Sequence, residues 1–137
     1  MFKQADYVII GVSDMTRSVN FYHNILGIPL KFESKEWSEF DTGKTIIALH
    51  PAAKGAKPVP GSENILPGSC SIGFVTSDIE SSFRQLQLKG VNFVQPPVSR
   101  EGEGIKLAVF LDPDGLALTI SQALERTEET ESSPISA

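Results

Sequence analysis

Val12-Ser13-Asp14-Met15-Thr16-Arg17-Ser18-Val19-Asn20-Phe21-Tyr22, closed by Ile25-Leu26-Gly27, is followed later in the chain by a segment of the same plan, Thr76-Ser77-Asp78-Ile79-Glu80, closed by Lys89-Gly90-Val91. In each, an Asp after a Ser supplies a side chain suited to capping a helix. Apolar residues then recur at helical spacing: Met15, Val19, Tyr22 and Leu26 in the first segment, Ile79, Phe83 and Leu86 in the second. Gly27 and Gly90 end the two helices. Glu80 stands where it could reach back in a capping box. Asp14 and Asp78 lie 64 residues apart, but Gly27 and Gly90 lie 63 apart, so the first helix holds one residue more.

The surroundings of the two segments repeat as well. Residues 7–12 and 71–76, just before the helices, read as strands. After the first helix, residues 30–34, 36–40 and 45–50 read as three strands, with Asp41-Thr42-Gly43 marking a turn. After the second, residues 91–95, 106–111 and 116–121 do the same, with Asp112-Pro113-Asp114-Gly115 as the matching turn. The fold class is therefore α+β, built from two βαβββ modules. One module alone would leave an apolar sheet face in water, so the two must bury their sheets together. The expected organisation is one domain over residues 1–124, with module one at 5–50, a linker rich in Pro, Gly, Ala and Lys at 51–68 and module two at 69–122. Residues 125–137, dominated by Thr, Glu, Ser and Pro, are expected to form a disordered acidic tail.

Composition excludes several functions. The chain has 137 residues and a formal net charge of -5, and Glu125, Glu128, Glu129 and Glu131 against Arg126 hold three of those negative charges. No basic footprint exists for nucleic acid or for an anionic membrane surface. No apolar run approaches the length of a membrane span. Cys70 is the only cysteine, which rules out an internal disulfide and fits a reducing cytoplasm.

The first helix motif and the closing run Phe110-Leu111-Asp112-Pro113-Asp114-Gly115 together resemble the signatures of the glyoxalase/bleomycin-resistance/dioxygenase (vicinal oxygen chelate) superfamily. The resemblance spans roughly residues 5–122. It implies paired βαβββ modules whose sheets curl around a cleft, and it implies a homodimer. The activities it implies range from isomerisation of glutathione adducts and extradiol ring cleavage to metal-free sequestration of antibiotics.

Enzymes of that family hold a divalent metal on four strands. On the resemblance, the first ligand position falls seven residues before Asp14, at Tyr7, and the third seven before Asp78, at Ser71. The second aligns to Ala48 and the fourth to Thr119. A hard divalent ion takes carboxylate or imidazole donors, and these residues supply neither. No metal and no other cofactor is therefore expected. His50, two residues beyond Ala48, could offer one ligand, but its partners are not evident.

Strand alternation sorts the remaining residues. Val8, Ile10, Val12, Ile47, Leu49, Ile72, Phe74, Leu118 and Ile120 are expected to pack on the helices. Tyr7, Ile9, Gly11, Ala48, His50, Ser71, Gly73, Ala117, Thr119 and Ser121 fall on the opposite face, which lines the cleft in the family. The candidate ligand-binding residues are Tyr7, Trp37, Ala48, His50, Ser71 and Thr119. Tyr7 and His50 are also the candidate catalytic residues: Tyr7 as an acid, or as a half-buried core residue; His50 as a base, or as a packed strand-end residue. Trp37 either stacks on a ligand or serves strand or dimer packing. The Gly-rich stretch around Arg100, Glu101, Glu103 and Lys106 is either a lid or, more simply, a solvated hairpin connection.

Three functions remain open. The first is a metal-free protein binding a small organic molecule, aromatic or amphipathic. The second is a glyoxalase- or dioxygenase-type enzyme with a displaced metal site, or with Tyr7 and His50 as acid and base. The third is an interaction module with a vestigial cleft.

Overall fold

The computed structural model describes residues 1–53 and 70–124. The proposed tail and most of the proposed linker lie outside these residues.

The first module runs β1 (Tyr7–Val12), α1 (Met15–Val19), a π-helical continuation (Asn20–Ile25), β2 (Leu30–Phe32), β3 (Ser38–Asp41) and β4 (Ile46–Pro51). The second runs β5 (Ile72–Val75), α2 (Ile79–Leu88), β6 (Asn92–Arg100), a short 3-10 turn (Glu101–Glu103), β7 (Ile105–Leu111) and β8 (Ala117–Ala123). The sheet orders are β1-β4-β3-β2 and β5-β8-β7-β6, the same order twice. In each, the first and last strands of the module pair in parallel and the rest are antiparallel.

The helix starts follow the capping argument. The Asp14 carboxylate accepts from Arg17 N at 3.0 Å and the Asp78 carboxylate from Ser81 N at 3.1 Å. The extra residue of the first helix is absorbed by the π-helical segment, where Leu26 N reaches Phe21 O and Ile28 N reaches Tyr22 O. A single inserted residue widens the helical turn in this way. Gly27 and Gly90 then turn at φ 80° and 88°, in the left-handed region that favours glycine.

Four details differ from the sequence reading. Glu80 does not form a capping box; it pairs with Lys106 on β7. β6 continues to Arg100 through Pro96 and Pro97, and the register shifts between Gln95 and Val98, because proline has no N–H to give the ladder. Pro51 belongs to β4 rather than to the linker, and Ala52 N still bonds Val12 O at 2.8 Å. Glu36 and Trp37 precede β3: the Ser34 hydroxyl donates to Trp37 O at 2.8 Å and accepts from Trp37 N at 3.1 Å, which makes a turn there instead of a strand. The Gly-rich stretch is a hairpin connection, with Gly104 at φ 69°.

The core is one cluster shared by both modules. Ile10, Val12, Phe40, Ile47 and Leu49 of the first sheet meet Ala108, Phe110, Leu118 and Ile120 of the second, with Val19, Phe21, Tyr22 and Ile79 from the helices. Phe21 lies 6.5 Å from Phe110, ring centre to ring centre. Because the inner faces of both sheets point into this common core, their other faces are turned away from it.

Candidate functional site

The outward face of the first sheet carries the aromatic candidates. Parallel pairing sets Ile9 beside Ala48 and Gly11 beside His50, and β3 sets Glu39 on the other side of Ala48. Trp37, two residues before Glu39, shares its face, held there by the Ser34 turn. The indole stands between the other two rings: 6.4 Å from Tyr7 at an interplanar angle of 76°, and 6.2 Å from His50 at 82°. Its N–H donates to Glu39 Oε2 at 2.7 Å. The Lys31 ammonium stands 3.9 Å from the other oxygen of Glu39. Tyr7 and Ile9 are exposed, at 57% and 59%, whereas Ala48 is buried.

His50 Nδ1 lies 2.7 Å from Pro51 O. A carbonyl only accepts, so Nδ1 carries a proton, and only in a neutral ring would Nε2 be an acceptor. Tyr7 and His50 thus share one face, with Trp37 between them.

Ser71 and Thr119 are elsewhere. They belong to the outward face of the second sheet, where Thr119 pairs with Gly73. A Cβ on Gly73 would meet Thr119 Oγ1 at 2.7 Å, so the absent side chain leaves room for the threonine hydroxyl. Val75, on the same face, is 85% exposed. Among the described residues, no hydrogen bond, ion pair or ring contact joins this group to Tyr7, Trp37 and His50. The six candidates therefore fall into two groups on two sheet faces rather than in one cleft within the chain.

The positions that the family resemblance assigns to a metal carry poor donors. A phenol at Tyr7, a methyl at Ala48 and hydroxyls at Ser71 and Thr119 do not fit a hard divalent ion. Among the described residues, no three His, Cys, Asp or Glu side chains gather as a metal would require.

A second polar assembly joins the two signature motifs. Tyr22 donates to Asp112 Oδ2 at 2.8 Å, and Asp112 Oδ1 accepts from Asp114 N and Leu116 N at 2.9 and 2.8 Å. Asp114 in turn accepts from Ser13 N at 2.9 Å, from the Ser13 hydroxyl and from Arg17 at 3.2 Å. Burial, then the charge and hydrogen bond of Asp112 and the charge of Asp114, push the Tyr22 phenol far above its ordinary range. Tyr22 is thus locked as a neutral donor. Among the described residues every partner here is internal, so the assembly ties the modules together.

The sequence reading missed Glu39 and Lys31. The signal for Glu39 was present, since it lies two residues from Trp37 on the same strand face. Lys31 gave none, because its approach depends on how β2 pairs with β3. A cavity of about 300 Å³ also opens on the helix side, lined by Ile25, Leu26, Phe74, Leu86 and Ile120 with Lys89 at its rim. It lies among core-side residues, away from both groups.

Comparison with known proteins agrees with this architecture. The family described as Glyoxalase/Bleomycin resistance protein/Dioxygenase superfamily matches residues 4–120. The uncharacterized protein YraH of Bacillus subtilis is 29% identical, over 82% of this chain and 93% of its own. The virulence protein STM3117 of Salmonella typhimurium is 28% identical over 85% of this chain and 82% of its own. The metallothiol transferase FosB of Staphylococcus saprophyticus is 29% identical over 84% of this chain and 74% of its own. Among solved structures, a glyoxalase/dioxygenase from Nostoc punctiforme superposes with a TM-score of 0.76 at 20% identity, covering 90% of this chain and 92% of that one, a likeness of fold.

Proposed function

The chain belongs to the glyoxalase/bleomycin resistance protein/dioxygenase superfamily, and from that premise we propose that it binds a small organic molecule, without a metal, at the face shared by Tyr7, Trp37 and His50. The single observation that carries this reading is the placing of the only tryptophan between Tyr7 and His50 on an exposed sheet face. Amphipathic rings with open faces suit an aromatic or amphipathic ligand. The donor set supports the metal-free part. FosB is named a metallothiol transferase, but the residues at the aligned ligand positions here are not metal donors.

A homodimer completes the proposal. Each chain presents two outward faces with exposed Tyr7, Ile9 and Val75, and neither covers the other. Setting the first-sheet face of one copy against the second-sheet face of another would bring Ser71 and Thr119 opposite Tyr7, Trp37 and His50 and remove that apolar surface from water. A cytoplasmic location goes with this reading, since Cys70 is exposed and free.

The test is a fluorescence titration of Trp37 with a panel of small aromatic compounds in the presence of a chelator. Saturable binding that survives chelation and weakens in Tyr7→Leu, or in Trp37→Ala when read by thermal stabilisation, supports the proposal. Binding that requires added metal overturns it, as does turnover of a bound compound abolished by His50→Ala or Tyr7→Phe; the latter would establish an acid/base enzyme.

A further inference from the structure

The rings of the proposed site do not lie flat against one another. Successive planes stand at 76° and 82°, with centres 6.4 and 6.2 Å apart. An edge-to-face contact covers at most one face of a pair, and Tyr7 is 57% exposed, so the rings stand as walls rather than as a closed stack. A π face is negative and attracts cations, most strongly for tryptophan. Two features increase that attraction here. The indole N–H donates to a carboxylate at 2.7 Å, which pushes electron density into the ring. The same carboxylate keeps its other oxygen free of close partners, since Lys31 reaches it only at 3.9 Å with its side chain 56% exposed. In its neutral form His50 turns the Nε2 lone pair, not a donor, to the surroundings, since Nδ1 faces Pro51 O.

Resting on the reading above, we propose that the ligand of this face carries a positively charged nitrogen, quaternary or protonated, seated between Tyr7 and Trp37 and balanced by Glu39. The Lys31 ammonium occupies the edge of that position in the free protein, and the ligand's cation takes its place at Glu39. The body of the ligand lies along Ile9 and the exposed edge of the rings. The chain's net charge of -5 favours approach of a cation.

The experiment compares charged and uncharged probes of one shape. Choline is titrated beside its carbon isostere, in which a tert-butyl group replaces the trimethylammonium, and benzyltrimethylammonium beside benzyl alcohol and benzoate. Binding is read by Trp37 fluorescence and by thermal stabilisation. We expect each cation to bind on the order of tenfold tighter than its neutral counterpart. Glu39→Gln keeps an acceptor for the indole N–H but removes the charge, and should narrow that preference; Lys31→Ala should widen it. If benzyl alcohol or benzoate binds as tightly as the cation, the inference is overturned while small-molecule binding stands. If the cations leave Trp37 unperturbed although other aromatic compounds bind, the inference falls in the same way. If nothing perturbs Trp37, both fall.

Discussion

Tyr22 donates its phenolic hydrogen to Asp112 at 2.8 Å, and this bond joins the first signature motif to the last across 90 residues of chain. Both residues are buried. Phenylalanine at position 22 would leave Asp112 Oδ2 without its partner. We expect Tyr22→Phe to lower unfolding stability by about 1–3 kcal/mol, measured by chemical denaturation, with the fold retained.

The same tyrosine makes stability fall at alkaline pH. Its folded-state pKa is raised above the ordinary value of 10.0, so the unfolded chain releases the phenolic proton first. The contribution is present in full below about pH 10 and is lost as pH rises beyond it, by about 1.4 kcal/mol per unit. Denaturation measured between neutral and strongly alkaline pH should show a steeper decline in the wild type than in Tyr22→Phe.

Ser18 and Ser82 occupy equivalent places in the two modules and differ in their partners. The Ser82 hydroxyl bonds Thr76 Oγ1 at 2.7 Å. The residue matching Thr76 in the first module is Val12, and the buried Ser18 hydroxyl has no partner among the described residues. An unsatisfied buried hydroxyl costs stability. Ser18→Ala should raise stability by about 1 kcal/mol, whereas Ser82→Ala should lower it; thermal melts of the two variants give opposite signs.

Gly73 is required by its neighbour rather than by its backbone angles. A Cβ there would lie 2.7 Å from Thr119 Oγ1, so Gly73→Ala should destabilise the second sheet by about 1–3 kcal/mol. Thr119→Ala removes the clashing atom. The double variant should recover most of the loss, and a double-mutant cycle would show the coupling.

How much of this was legible beforehand follows from which contacts are local. The duplicated helix motifs, the caps at Asp14 and Asp78 and the alternation that buries Ile10, Val12, Ile47 and Leu49 are periodic, so the sequence displays them directly. The one-residue difference between the helices was legible too; its form, a π-helical turn over Asn20–Ile25, was not, since an extra residue can also be looped out. Glu80 was misread because a capping box needs Ser77 as the N-cap, whereas the cap is Asp78, which leaves Glu80 one position too early in the helix and free to pair with Lys106. The site was legible only in part. Strand parity placed Tyr7, Ala48 and His50 on one face, but the position of Trp37 depends on a turn closed by Ser34. The separation of Ser71 and Thr119 from that group depends on how the modules share a core, which no local pattern records.

The exposed faces give a prediction about association. Val75, 85% exposed on the second-sheet face, would be covered in the proposed homodimer. Val75→Glu should shift sedimentation from dimer to monomer while leaving the circular dichroism spectrum unchanged. A monomeric wild type would remove the dimer from the proposal.

The most direct measurement of the central claim is residue-level mapping of binding by amide NMR, with a chelator present, using the tightest compound from the Trp37 titration. Metal-free binding at the first-sheet face should move the amides of Tyr7, Ile9, Trp37, Glu39 and His50. Shifts confined to the helix-side cavity around Ile25, Leu86 and Ile120, or shifts that vanish with the chelator, would contradict it.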